Sequence, residues 1–234
     1  MTNNVLAIIP ARANSKGVPG KNKMKLNGVS LVGHAYSIAS KSKFVTDIVI
    51  STDDEEIIEK FLHKDDVLVH RRISKLASDE SPISDTICSV ISDLDKKFDF
   101  ILLLQPTSPN RSATDIDICI NKIIKSSHIN SIVSVCKMDD IHPGRMYWIS
   151  EDGSIESVLK KYETTRRQDN KPVYYRNGAI YLVRAKFFND KKNMIISPIY
   201  PYIMDSEYLL NIDSKRDKLI AETIHNYWIE NNNL

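Results

Sequence analysis

The feature that most restricts the fold is an alternation. Short apolar runs of strand length take turns with stretches whose apolar residues recur every three to four positions. VLAIIPA (5–11), DIVISTD (47–53), DVLVHRR (66–72), FDFILLLQPT (98–107) and SIVSVCKM (131–138) read as strands. VLAIIPA and FILLL show no polar alternation, so their strands are expected to be buried on both faces. Between them lie SLVGHAYSIASKSK (30–43), DDEEIIEKFLHK, SPISDTICSVISDLDKKF (81–98) and SATDIDICINKIIKSS (112–127), all in helical register. This order implies an α/β fold with a doubly wound, mainly parallel sheet.

The pattern changes after residue 138. Residues 139–175 hold short β-like pieces and the polar stretch ETTRRQDNKP, which read as an inserted hairpin or small lobe within one domain spanning 1–234. AIYLVRAKFF and SPIYPYIMD follow, and SKRDKLIAETIHNYWIENN closes the chain as a helix.

Composition excludes several classes. Lys and Arg total 32 against 30 Asp and Glu, so the net charge of +2 gives no basic surface for nucleic acid. No signal-peptide pattern opens the chain, and FILLL is far too short to cross a bilayer. Cys88, Cys119 and Cys136 lie apart in apolar segments without metal-binding spacing. They read as buried free thiols of a cytoplasmic protein with no membrane partner.

In doubly wound sheets, ligands bind outside the carboxyl ends of the strands. PARANSKG, STDD and QPTSPNR all fall at such ends, which predicts one polar cleft. The first loop, IIPARANSKGVPGKN, brings Arg12, Lys16 and Lys21 beside a Pro19-Gly20 turn. It fits neither GxxxxGK[ST] nor GxGxxG, so neither a P-loop nor a dinucleotide fingerprint is present. A cationic loop leaving a buried strand nevertheless suits a phosphate group, although a solvated basic turn has the same composition.

The blocks IIPARANSKGVPGKN, IVISTDDEEI, RRISKLASD, LLLQPTSPNR, RNGAIYLV and NIDSKRD occur in an order that resembles the CMP-sialic acid synthetases (acylneuraminate cytidylyltransferases) over nearly the whole chain. The resemblance implies a Rossmann-like nucleotidyltransferase that joins CTP to an acidic nine-carbon sugar and releases pyrophosphate. It also implies a Mg²⁺ cofactor and a homodimer made through the inserted lobe. An eight-carbon octulosonic acid, or a binding module without catalysis, are the alternatives.

By the same resemblance, Arg12, Lys16 and Asn22 contact CTP, and Lys21 steadies charge at the transferring phosphorus. Arg72 lies near the base, with Arg71 its solvated neighbour. Ala77, Ser78 and Asp79 face the base edge, although Asp79 equally suits the start of the following helix. Gln105 and Tyr181 contact the sugar, with a turn-capping amide and a core tyrosine as the plainer readings. Phe187 and Phe188 line the sugar pocket or, as paired aromatics at a strand end, belong to the core. Asn177 and Gly178 set a turn before the strand that carries Tyr181.

The resemblance also implies that Asp213, matching the second acid of the family's pair, holds the metal, with Asn211 standing in place of the first. Arg145 and Arg167 of the lobe reach a partner subunit's sugar carboxylate, or form a solvated basic surface. The binding-module alternative draws its support from Asn211, because an amide oxygen can ligate Mg²⁺ but adds no charge.

Overall fold

The computed structural model describes residues 3–14, 17–163 and 166–232. Seven strands form the main sheet: β1 (Val5–Pro10), β4 (Asp47–Thr52), β5 (Leu68–Arg71), β6 (Phe100–Leu103), β7 (Ser131–Met138), β10 (Val173–Arg184) and β11 (Ile199–Met204). Two short hairpins complete the strands: β2 (Lys25–Leu26) with β3 (Val29–Ser30), and β8 (Tyr147–Ile149) with β9 (Ile155–Ser157). The helices are α1 (Leu31–Lys41), α2 (Glu55–Phe61), α3 (Ser74–Ala77), α4 (Ile83–Leu94), α5 (Ala113–Lys125), α6 (Ala185–Lys191) and α7 (Lys215–Asn232).

The sheet order is β11-β7-β10-β6-β1-β4-β5, and only β10 runs against the rest. From β1 the chain winds outward to β4 and β5, then returns to β6 on the other side. The crevice therefore opens between the ends of β1 and β6, where such sheets bind ligands.

Period-two side-chain alternation explains why β1 is central. Val5, Ala7 and Ile9 enter one core with Val32, Ala35, Ile57, Ile116 and Ile120. Leu6 and Ile8 enter the other with Ile87, Val90 and Phe188. The expected burial on both faces is thus present. Side-chain caps fix the starts of α2 and α5: the Asp54 side chain accepts from the N–H groups of Glu56 and Ile57, and Ser112 forms a reciprocal capping box with Asp115.

The structure departs from expectation at β10. Its first three residues, Val173 to Tyr175, pair with Met138 to Cys136, so the excursion between sheet strands is shorter than 139–175. Asn177 and Gly178 do not precede the strand. They form a bulge within it, where the register to β7 shifts and Gly178 has φ +79°.

The strand also stops at Arg184, and Phe187 and Phe188 fall on α6. Because β10 is antiparallel, its end lies by the start of β6, where the Ala185 N–H donates to the Asp99 carbonyl. Neither phenylalanine can line a pocket at the carboxyl ends of the parallel strands. Phe188 is fully buried in the second core. All three cysteines are free, with Cys119 and Cys136 buried. Among the described residues, no helix is long and apolar enough to cross a membrane.

Phe188→Ala is expected to cost about 3–5 kcal/mol in denaturant unfolding, the usual range for an emptied aromatic core site. Ligand affinity measured well below the midpoint should be unchanged.

Candidate active site

The loop after β1 is fastened before it reaches solvent. The Thr52 hydroxyl donates to the Ala11 carbonyl at 2.5 Å, and the Asp53 carboxylate accepts from the Ala13 N–H at 2.7 Å. Buried Asn22 donates its amide to the Arg12 carbonyl at 2.8 Å, clasping the loop's two ends. Gly20 takes the left-handed conformation (φ +64°) that starts the short turn of Lys21–Lys23. Gly17 answers a different demand. A Cβ there would lie 1.9 Å from the Asp213 carbonyl oxygen, so only glycine lets the loop close on the segment after β11.

The second wall is the loop after β6. Arg111 is completely buried, and its Nη1 donates to the carbonyls of Gln105, Ser108 and Ala179 at 2.7–3.0 Å. Burial lowers its pKa to about 9. Ser108 directs its single hydroxyl hydrogen to the Asn177 carbonyl at 2.9 Å and shares it more weakly with the Asn211 amide oxygen at 3.3 Å, and the Ile212 N–H donates to the Thr107 carbonyl. Gly178 lets these walls meet, since a Cβ there would come within 2.8 Å of Ser108 Oγ and Gln105 Oε1.

An open cleft of about 400 Å³ results. Of the residues singled out from sequence, Arg12, Lys21, Asn22, Arg72, Ser78, Asp79, Gln105, Asn211 and Asp213 line it. Arg12 pairs with Asp79 at 2.7 Å, so Asp79 meets a cation rather than sitting in the first turn of α4. Lys21 Nζ lies 2.7 Å from Asp213 Oδ1, and the Asn211 amide donates to Asp213 Oδ2 at 2.5 Å. Arg72 is 8% exposed; its Nη2 donates to the Ser51 carbonyl at 3.0 Å. Burial brings its pKa down to about 10, Asp53 opposing the shift and Arg12 adding to it. Arg71 instead pairs with Glu55 on the surface.

Other candidates lie elsewhere. Ala77 is not part of the cleft wall, which α3 supplies through Leu76. Tyr181 packs against the second core, and burial raises its phenol pKa, so the core reading describes it. Arg145 is exposed in the lobe and lines a separate cavity of about 250 Å³ with Lys137, His142 and Lys171. Lys16 and the Arg167 side chain lie outside the described residues.

Sequence reading missed Leu76 and Ile83, which give the cleft an apolar wall, and Ser81, whose buried hydroxyl has no hydrogen-bond partner among the described residues. Ser81 stands directly before Pro82 and reads as helix-start composition, which conceals it. Also missed was Arg111, because an arginine in a polar loop looks like a ligand contact rather than a buried brace.

The cleft lies at the switch point of a doubly wound sheet and is lined by three cations and two carboxylates, an arrangement suited to a phosphorylated ligand in an α/β fold. Residues 6–225 match the model of the cytidylyltransferase family, and the chain belongs to that family. It is 32% identical over 91% of its length to an N-acylneuraminate cytidylyltransferase of Streptococcus agalactiae, of which it covers 51%. It therefore spans about half the length of that relative. It is 30% identical to a CMP-N,N'-diacetyllegionaminic acid synthase of Legionella pneumophila, covering 94% of this chain and 95% of that one. A solved CMP:2-keto-3-deoxy-manno-octonic acid synthetase complexed with CTP shares the fold, with a TM-score of 0.69, 14% identity and coverage of 96% and 99%.

The brace under the cleft is acid-sensitive. His225 of α7 is fully buried with its Nδ1 2.7 Å from Asn110 Oδ1, its Nε2 unpartnered and its ring 4.8 Å from that of His34. Burial lowers its pKa to about 4. A histidine depressed below its unfolded value of about 6.5 binds its proton more readily in the unfolded chain. Stability should therefore be intact above pH 6.5 and fall by up to about 3 kcal/mol toward pH 4. Urea unfolding from pH 7.5 to 4.5 should show this slope, and His225→Asn should flatten it.

Proposed function

We propose that this chain transfers CMP from CTP to the anomeric hydroxyl of a nine-carbon 2-keto-3-deoxy sugar acid of the sialic, legionaminic or pseudaminic type, releasing pyrophosphate. The observation that carries this reading is the convergence of Arg12, Lys21 and Arg72 on one crevice that also holds Gln105 and Asp213. The sugar oxygen forms a bond to the α-phosphorus as the bond to the bridging pyrophosphate oxygen breaks. The hydroxyl proton passes to water in the open cleft. Such transfers are accelerated chiefly by positioning and by neutralising charge on the phosphate oxygens.

Lys21 and Asp213 line the crevice as a pair, so the arriving triphosphate replaces a carboxylate as the partner of Lys21. Arg12 exchanges Asp79 in the same way. Arg72, fixed to Ser51, is already in place. Gln105 can donate and accept toward sugar hydroxyl or carboxylate oxygens.

Mg²⁺ is the proposed cofactor. The Asp213 carboxylate is a hard oxygen donor at the cleft and would hold a cation that takes its remaining positions from water and phosphate, whereas Asn211 turns its amide N–H toward Asp213 and would have to turn over to offer its oxygen. Bound there, it would supply further positive charge to the phosphate oxygens. The set is lean: among the described residues no group of three His, Cys, Asp or Glu could hold a metal. A homodimer is also part of the proposal, in which lobe arginines Arg145 and Arg167 reach the partner's sugar carboxylate. Trp148, Ile149 and Ile155 on the β8–β9 hairpin, 63–78% exposed, support a covered lobe. A cytoplasmic setting accords with three free thiols.

Pyrophosphate release is to be followed with CTP and Mg²⁺, offering sialic, legionaminic, pseudaminic and octulosonic acids in turn. Release is expected with a nine-carbon acid and should fall about 100-fold or more in Lys21→Ala, the scale of a lost charge-stabilising donor. Release with the octulosonic acid alone would overturn the substrate class. CTP binding without release under any acid would overturn the transferase reading in favour of a binding module.

A further inference from the structure

Behind Arg72 runs a row of polar side chains that the transfer chemistry does not use. His70 lies two residues earlier on β5 and is 5% exposed. Its Nδ1 is 2.9 Å from Ser51 Oγ, and its Nε2 is 3.1 Å from Ser89 Oγ and 3.3 Å from Asp93 Oδ2, both on α4. Ser51, fully buried on β4, accepts Arg72 Nε–H at its hydroxyl oxygen, 3.3 Å away. A serine hydroxyl has one hydrogen. The Asp93 carboxylate beside Nε2 favours the ring proton there, which leaves Nδ1 bare to accept the Ser51 hydrogen while the Ser51 oxygen accepts from the guanidinium. The ring proton then sits on Nε2 and is donated toward Ser89 and Asp93. Bonding runs in one direction, from Arg72 through Ser51 and His70 to α4.

We propose that His70 is a positioning residue for the nucleotide: its neutral ring, acting through Ser51, keeps the Arg72 guanidinium aimed into the cleft, and protonation releases that hold. The inference rests on the CTP reading above. Four groups face the ring: Arg72 just beyond the end of β5, the neutral Ser51 hydroxyl from β4, and the neutral Ser89 hydroxyl and the Asp93 carboxylate from α4. Burial and Arg72 favour the neutral ring and Asp93 opposes them, so His70 titrates below its ordinary range. Protonation puts a hydrogen on Nδ1. Ser51 then loses the acceptor for its own hydrogen in a fully buried position, and a second cation comes to lie behind Arg72.

The test is CTP affinity by calorimetry from pH 8 to 5, with thermal melts of every variant and, at pH 8, KM for each substrate and kcat. Asn places an amide oxygen where Nδ1 stands, whereas Gln places it near Nε2. His70→Asn should keep near-wild-type CTP affinity at pH 8 and lose the weakening toward acid pH that is expected of the wild type. Titration of CTP itself is common to both proteins and cancels. His70→Gln and His70→Leu should bind CTP about tenfold more weakly, with sugar KM and kcat little changed. If the Leu variant does not fold, the Asn and Gln pair carries the comparison. Equal CTP affinity in Asn and Gln, or an acid limb retained in Asn, would overturn the positioning role. Failure of the wild type to bind CTP at all would instead overturn the nucleotide reading, and this inference with it.

Discussion

Everything in the cleft depends on β1 being buried from both sides. Val5, Ala7 and Ile9 face one core and Leu6 and Ile8 the other, so a slip of one residue would exchange both sets and mismatch both layers of helices. The register is held by β4 on one side and β6 on the other, both parallel to it. Ala11 therefore leaves the sheet at a fixed height, still bonded to Ser51 and Thr52. Arg12, the first side chain free of the core, emerges at the one place in a doubly wound sheet where two neighbouring loops diverge. Its position is a consequence of packing, not of anything in the arginine.

Electrostatics then sort the cations. Lys23 pairs with Asp54 and Glu56, and Arg71 with Glu55, so both are spent on the outer surface. Arg12 and Lys21 pair with Asp79 and Asp213 at the cleft itself. Pairs with one partly exposed side are worth about 1 kcal/mol or less, and a triphosphate offers more charge and more acceptors than either carboxylate. These bonds hold the side chains near their working positions yet yield to an anion at small cost. Arg72 differs: buried and bound to Ser51, it has a fixed direction and cannot follow a moving ligand.

Much of this was legible in the residues. Apolar runs and helical registers give the parallel strands and the helices between them, and the strand-end rule gathers the loops that carry Arg12 and Gln105 at one cleft, whereas Arg72 and Asp213 come from the family resemblance. What could not be read was contact between distant segments. Lys21 and Asp213 are 192 residues apart, and no local pattern marks them as partners. Nor does the run AIYLVRAKFF disclose its direction. Read as a parallel strand, it carries Phe187 and Phe188 toward the cleft; run antiparallel, it carries them to the opposite end of the sheet. Tyr181 has the alternation of a strand either way, and the neighbouring core decides its role.

Asn211 is where local chemistry says more than family pattern. An aspartate there would set a second carboxylate beside Asp213, and two like charges at such a distance would repel until a cation arrived. The amide does the reverse. Its N–H group donates to Asp213 Oδ2 while its oxygen accepts from Ser108, which is itself tied to the bulge of β10 through the Asn177 carbonyl. Asp213 is thereby oriented from one side by Asn211 and from the other by Lys21, with no metal needed to hold it. The substitution gives up a unit of negative charge for an acid already arranged in the free protein. Were the proposed cation to bind at Asp213, it would find weaker attraction, and also less repulsion to have relieved and less side-chain freedom to remove.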